Sequence, residues 1–236
     1  MYEKRIFSQH GEDGIIEYLA NHQKECQKRF LEIGYGDGRQ NNSLNLSRNH
    51  GWSGVGVDMR DQSVEPPGGV TVIQEMIDLK SVDELLAISG KNVDFYSIDI
   101  DSIDYWLTVA LMDAGLNPAF VCVEIMNGAG DEVSVAPPLR PGFKYNKFHI
   151  CGASIRAWQN FWTHRGYKFL TMDKSGINAF FYHPEKFECM TDYPVIEYVP
   201  SKKNKGYDDW LSIFNHRANI EECIVTGKET IKDINV

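Results

Sequence analysis

Two groups of residues in this 236-residue chain have the types and spacing that chemistry needs. The first is Glu32-Ile33-Gly34-Tyr35-Gly36-Asp37-Gly38, followed one unit later by Asp58. Glycines placed directly after the apolar burst Phe30-Leu31-Glu32-Ile33 allow a tight turn and a close approach of backbone to a ligand. Asp58 closes the next apolar segment, where a carboxylate can accept two hydrogen bonds from a ribose diol. The pair points to a cofactor that carries a nucleoside. The glycines fall as G-x-G-x-G, with Arg39 in the last place of a G-x-G-x-x-G dinucleotide fingerprint, which speaks against NAD or FAD.

The second group is acidic: Asp99, Asp101 and Asp104, then Glu124 and Asn127. Hard oxygen donors at the ends of neighbouring strands suit Mg²⁺ or another divalent cation, and Asp99, Asp101, Glu124 and Asn127 are the expected ligands. Without a metal, Asp99 and Glu124 remain candidates for general base work or substrate binding. The plainer reading makes Asp101 and Ser102 helix caps and Asp104 a first-turn partner of the helix dipole. His149, at the end of a long loop, is the favoured histidine base, with His10 the other that could reach the crevice.

These residues need strands and helices to bring them together, and the chain alternates between the two. Short apolar segments at Phe30–Ile33, Gly54–Asp58, Val70–Ile73, Val93–Ile98 and Ala119–Ile125 read as strands. Helices are expected up to about His50 with Asn42 or Ser43 as cap, from the Ser81-Val82-Asp83-Glu84 capping box to Gly90, and over about Ile103–Ala114. The near-continuous apolar run at 119–125 fits a central parallel strand covered on both faces.

Asp131–Ile150 reads as a long loop of lid type. A helix over about Ala153–His164 puts Ile155, Trp158, Phe161 and Trp162 on one side as core. Tyr167–Thr171 and Ile177–Tyr182 form an antiparallel hairpin. The fold class is therefore α/β: a doubly wound, mostly parallel, seven-stranded Rossmann-like sheet with an antiparallel final strand and helices on both faces. Residues 1–184 make the domain. Residues 185–236, with weak helical stretches at Tyr207–Asn215 and Lys228–Ile234, form an extension that packs on it or is partly flexible.

Composition narrows the partners. With 24 Lys+Arg against 33 Asp+Glu the net charge is −9, so the summed field repels a phosphate backbone or an anionic membrane. Neither nucleic acid nor a membrane is expected. No apolar run approaches the ~18 residues of a membrane span, and the polar start gives no export signal. The five scattered cysteines form no C-x-x-C pair, and Cys122 reads as a buried small hydrophobe. A cytoplasmic, reducing location follows, with a small-molecule substrate and a homo-oligomer compatible.

The E-x-G-x-G turn with the strand-end Asp58 resembles the first two motifs of class I S-adenosylmethionine-dependent methyltransferases. Phe7-Ser8-Gln9-His10-Gly11-Glu12-Asp13-Gly14, Gly51-Trp52-Ser53-Gly54, Ser97-Ile98-Asp99-Ile100-Asp101, Gly152-Ala153-Ser154 and Ile177-Asn178-Ala179-Phe180-Phe181 are similar to segments of FkbM-type and related methyltransferase-like proteins. The likeness spans roughly residues 7–184.

It implies that Glu32, Gly34 and Gly36 border the methionine part of S-adenosylmethionine, that Asp58 holds the ribose hydroxyls, and that Asp78 lies near the adenine. Tyr35, Met59 and Asp99 complete the implied cofactor set. The activity implied is methylation of a small-molecule or sugar hydroxyl, with a divalent cation as an optional assistant. Two alternatives are a carboxylate-rich metal-dependent hydrolase and a nucleoside-binding module without turnover.

Overall fold

Strand β1 (Arg29–Ile33) shows why a sheet forms here: four of its five residues are buried. Its side chains alternate between two separate hydrophobic clusters, Leu31 and Ile33 in one and Phe30 in the other. A strand with no solvated face must lie inside a sheet covered on both sides. The computed structural model describes residues 2–140, 143, 150–188, 190, 193–200, 207–215, 218–230 and 232.

Six further strands follow: β2 (Ser53–Asp58), β3 (Val70–Gln74), β4 (Phe95–Ile98), β5 (Phe120–Glu124), β6 (Lys168–Met172) and β7 (Asn178–Tyr182). They form one seven-stranded sheet in the order β3-β2-β1-β4-β5-β7-β6. The pairs β1–β2, β1–β4, β2–β3 and β4–β5 are parallel, while β7 runs antiparallel to both β5 and β6. The expected fold class is the one observed, and the antiparallel final strand sits between β5 and β6.

Helices flank both faces. Alpha helices α1 (Glu12–Asn21) and α2 (Leu44–His50) supply Ile15, Ile16, Leu19 and Leu46 to the cluster that holds Phe30, Phe95 and Phe120. The opposite face takes Val82 and Leu85 from α3 (Val82–Ser89), Leu107 and Leu111 from α4 (Asp104–Asp113), and Trp158, Phe161 and Trp162 from α5 (Ile155–His164). The apolar side expected for α5 is the buried one, and Ser154 caps it by accepting from the Ala157 amide at 3.1 Å. Helix α6 (Tyr207–Asn215) places Trp210 and Phe214 against Met126, Ala129 and Val135. That small third cluster lies beyond the end of β5.

Several local expectations are corrected. Helix α1 was not foreseen. The capping box at Ser81 does not form: Asp78 caps a preceding 3-10 turn, Leu79–Ser81, by accepting from the Lys80 amide at 2.8 Å. Neither Asn42 nor Ser43 caps α2 with its side chain, because Glu32 does so from β1, as described below. Of the helix expected over Lys228–Ile234, residues 228–230 are described and are not helical, while 231, 233 and 234 lie outside the described residues. No described helix is long and apolar enough to cross a membrane, and no disulfide forms among the described cysteines.

Candidate functional site

The chain leaves β1 toward β2 on one side and returns through β4 on the other, so the ends of β1 and β4 form the topological switch point where open α/β sheets bind ligands. Gly34 and Asp99 meet there. Gly34 has φ +93°, and a Cβ at this position would stand 1.8 Å from the Asp99 carbonyl oxygen. Only glycine allows this contact between the two strand ends.

The glycine turn is stitched to its surroundings through its own amides. Gly34 and Tyr35 both donate to the Val57 carbonyl, at 2.8 and 3.0 Å, and Gly36 donates to Asp58 Oδ2 at 2.7 Å. These three amides therefore hold β2. The Tyr35 ring is buried in the cluster with Phe30, Trp52 and Phe95.

Asp58 stands against the glycine turn, and its carboxylate is already occupied. Its Oδ1 accepts from the Arg60 amide at 2.8 Å and from Arg60 Nε at 3.0 Å. Its Oδ2 accepts from Gly36 and from Arg60 Nη2 at 3.2 Å. A carboxylate has about four lone-pair positions, and all are in use. Burial pushes the Asp58 carboxyl up, but the Arg60 fork and the two amides outweigh it and leave it below the ordinary range. The segment after β2 folds over the turn in the same way, with Gln62 Nε2 on the Gly36 carbonyl at 2.8 Å and the Ser63 amide on the Asp37 carbonyl at 2.8 Å.

Glu32 has a structural task. It is buried, and its two oxygens accept from the amides of Asn42 and Ser43 at 2.8 and 2.9 Å, which caps the start of α2. Burial pushes its carboxyl up to about 7 despite those bonds. Met59 is 67 % exposed beside Asp58. Asp78 is exposed, with its carboxylate turned to its own 3-10 turn.

The acidic group gathers at the ends of β4 and β5. Asp104 is fully buried and organises the loop after β4, with its oxygens on the amides of Ile100 and Ser102 at 2.9 Å each. It does more than complement a helix dipole. Neither Asp101 nor Ser102 is the cap of α4; Ile103 holds that position. Asp101 adopts φ 55°, in the left-handed region that non-glycine residues rarely enter. Asp99 follows β4 directly. No described donor is bonded to its carboxylate, and burial, followed by the charges of Asp104, Asp101 and Glu32, pushes it up to about 7.

Glu124, at the end of β5, is 8 % exposed and its Oε2 has no hydrogen-bond partner. Burial first, then the neighbouring acids, raises its carboxyl well above the usual range. Asp101, Glu124 and Cys151 each bring one ligand atom within 4.8 Å of the other two. Asp99 is not part of that triad. Asn127 spends its amide nitrogen on the carbonyls of Gly176 and Val199, at 2.7 and 2.6 Å, and leaves Oδ1 buried without a partner. His149 lies outside the described residues, and His10 is exposed.

No family model matches the chain, and no curated protein matches it. Among solved structures, a candidate hemolysin from Lactococcus lactis is similar at 16 % identity and a TM-score of 0.47, over 78 % of this chain and 91 % of that one. The MycE methyltransferase of the mycinamycin biosynthetic pathway, in complex with Mg and SAH, shares 15 % identity at a TM-score of 0.46, over 87 % of this chain and 54 % of that one. Cofactor-bound Rv0187 from MTB shares 15 % at 0.47, over 77 % and 83 %. The chain thus spans about half the length of MycE.

Sequence reasoning missed three site residues: Arg60, Gln62 and Cys151. For Arg60 a signal existed, since an arginine two positions after a strand-end aspartate can fold back on it. Cys151 carried none, because nothing local ties it to Glu124.

Proposed function

We propose that this chain is an S-adenosylmethionine-dependent methyltransferase, FkbM-like in its motifs, that acts on a hydroxyl of a small molecule or sugar. The single observation that supports this reading most is Asp99. It stands at the switch point with an unbonded carboxylate, and no basic side chain among the described residues pairs with Asp99, Asp104 or Glu124. Acids that are buried or partly buried and make no ion pair favour a cationic ligand. Bound there, the cofactor supplies an electrophilic methyl group on a positively charged sulfur.

Asp99 attracts that charge and orients it toward the acceptor. With its pKa raised to about 7, Asp99 is also suited to take the proton that the hydroxyl loses as its oxygen forms the new bond to carbon. Glu124 is the second candidate for that proton, and His149 the third. Gly34 keeps the ends of β1 and β4 close. Asp58 would hold the ribose diol if the Arg60 side chain moved off it, with the amides of Gly36 and Arg60 keeping the carboxylate in place. Met59 and Asp78 would lie on the adenine side. Where a divalent cation takes part, Asp101 and Glu124 are the carboxylates that would hold it, and it would lower the pKa of the acceptor hydroxyl.

The test is calorimetric binding of S-adenosylmethionine and S-adenosylhomocysteine to the wild type and to Asp99→Asn, with methyl transfer assayed on a panel of alcohols and sugars. The sulfonium ligand should weaken about tenfold or more in the variant, and the uncharged thioether by much less. Equal losses for both ligands, or no binding by the wild type, would overturn the reading. Cofactor binding without transfer to any acceptor favours the binding module, and metal-dependent hydrolysis without cofactor favours the hydrolase.

A further inference from the structure

The side chain that draws attention next is Cys151, which the methyl-transfer reading leaves without a task. It is 3 % exposed, and it reaches Glu124 because Gly152 turns the chain sharply. Gly152 has φ +57°, and a Cβ there would lie 2.7 Å from the Glu124 carbonyl oxygen. The same junction is pinned by the Met126 amide on the Ala153 carbonyl at 2.8 Å and by the Trp158 indole on the Glu124 carbonyl at 2.8 Å. The thiol is therefore held beside the end of β5 by backbone and by a buried tryptophan.

We propose that Asp101, Glu124 and Cys151 form a three-ligand site for a borderline divalent cation of the zinc class, with a fourth position open to water or substrate. One donor atom from each residue lies within 4.8 Å of the other two. Donors that share one ion at 2.0–2.3 Å stand about 3.3–3.7 Å apart in tetrahedral geometry, so the triangle closes with a contraction of roughly an ångström. The independent sign of a missing ligand is Glu124 itself, which is 8 % exposed and has one carboxylate oxygen, Oε2, without any partner. Native proteins rarely leave such an atom unsatisfied.

The donor set decides the ion. Mg²⁺ and Ca²⁺ want oxygen ligands only, and Mg²⁺ keeps much of its water. One thiolate among two carboxylates shifts preference to Zn²⁺, Co²⁺ or Fe²⁺. This replaces the all-oxygen set of Asp99, Asp101, Glu124 and Asn127 with one in which sulfur selects the metal. Without an ion, burial and four nearby acids, Glu124, Asp104, Asp101 and Asp99, raise the thiol well above its ordinary pKa. On binding, the Cys151 proton leaves to solvent as the sulfur–metal bond forms, so affinity rises with pH. Three protein ligands and one open position are the pattern of a zinc ion that polarises a bound oxygen. The inference shares a cation with the methyl-transfer reading but needs none of its cofactor.

The test uses the full chain, stripped with a chelator. Zn²⁺ is titrated by competition with a chromogenic chelator, and Co²⁺ is added in place of zinc to read the near-ultraviolet band of a thiolate–cobalt bond. One equivalent of zinc should bind, tighter than Mg²⁺ by at least a hundredfold. Cys151→Ser should remove the cobalt band and weaken zinc at least tenfold, Glu124→Gln should weaken zinc with the band retained, and Cys26→Ser should change neither.

Failure of the wild type to bind zinc, preference for Mg²⁺, or a cobalt band that survives in Cys151→Ser would overturn the proposal. The wild-type measurements settle it even if a variant fails to fold. Adding S-adenosylhomocysteine to the same samples separates the two readings: its binding in a chain that rejects zinc sinks only this site, and zinc binding in a chain that rejects it sinks only methyl transfer.

Discussion

Arg60 lays its guanidinium across both oxygens of Asp58, with Nε 3.0 Å from Oδ1 and Nη2 3.2 Å from Oδ2. The arginine side chain is 66 % exposed while the carboxylate is 4 % exposed. The pair therefore has one end in water and one in the protein. With only its cation in water, the pair lies at or above the upper end of the roughly 0.2–1 kcal/mol of exposed pairs, and opening the fork leaves the two amides on Asp58 in place.

Arg60→Ala should accordingly tighten S-adenosylhomocysteine binding by about fivefold or more, the inverse of that pairing energy. Asp58→Ala should weaken it by about 1.5–3 kcal/mol, the scale of a hydrogen bond to a charged group. Isothermal titration of both variants measures this. Weaker binding in Arg60→Ala would mean that the guanidinium touches the ligand instead of yielding to it.

Asp99 gives the protein a pH signature. Its carboxyl is raised from 3.8 to about 7 in the fold, so between those values the native state holds a proton that the unfolded chain has released. By linkage this stabilising contribution is full below the unfolded pKa and is lost as pH rises toward about 7. Urea unfolding at several pH values should show the wild type losing stability across that window relative to Asp99→Asn. Affinity for S-adenosylmethionine should move the opposite way and rise as Asp99 ionises. Parallel stability curves for the two proteins would refute the assignment.

Glu32→Ala leaves the amides of Asn42 and Ser43 without their acceptor at the start of α2. Each lost bond to a buried donor costs about 1–3 kcal/mol, partly offset by removing a buried carboxylate. A net loss of about 1–3 kcal/mol in denaturant unfolding is expected. Stability equal to the wild type would show that water takes over the cap.

Gly34→Ala must push β1 and β4 apart, because the added methyl would sit 1.8 Å from the Asp99 carbonyl oxygen at φ +93°. Overpacking and left-handed strain together should cost about 2–4 kcal/mol. Cofactor affinity should fall with it, since Asp99 is displaced. An unfolding midpoint close to the wild type would argue against the close strand contact.

The strands were legible because a strand buried on both faces writes a near-continuous apolar run set between turn residues, as at 119–125 between Asn117-Pro118 and Asn127-Gly128. Helix α1 was not, and the reason is chemical. Its first two residues, Glu12 and Asp13, are buried, with Glu12 Oε1 accepting from Asn178 Nδ2 at 2.9 Å and Asp13 Oδ2 from the amides of Ile6, Phe7 and Ser8. Polar residues in the core blur the apolar periodicity that announces a helix. The same bonds give the Phe7–Gly14 motif a structural task.

At the site, the positions of Asp58, Asp99 and Glu124 at strand ends followed from local pattern. Their partners were less so: Arg60 is near enough in sequence to fold back on Asp58, but its rotamer is not written there, and Cys151 is carried to Glu124 from the end of a loop with no period.

The antiparallel strand between β5 and β6 has a consequence for synthesis. Chain emerging in order builds β3-β2-β1-β4-β5 first, and Phe120–Glu124 then forms an open edge whose residues pair with nothing on one side. Phe-Val-Cys-Val is a strongly β-forming stretch with no charge before Glu124. It stays available to other nascent chains until Asn178–Tyr182 has left the ribosome. Truncation before residue 178 should therefore produce aggregates instead of a smaller soluble domain.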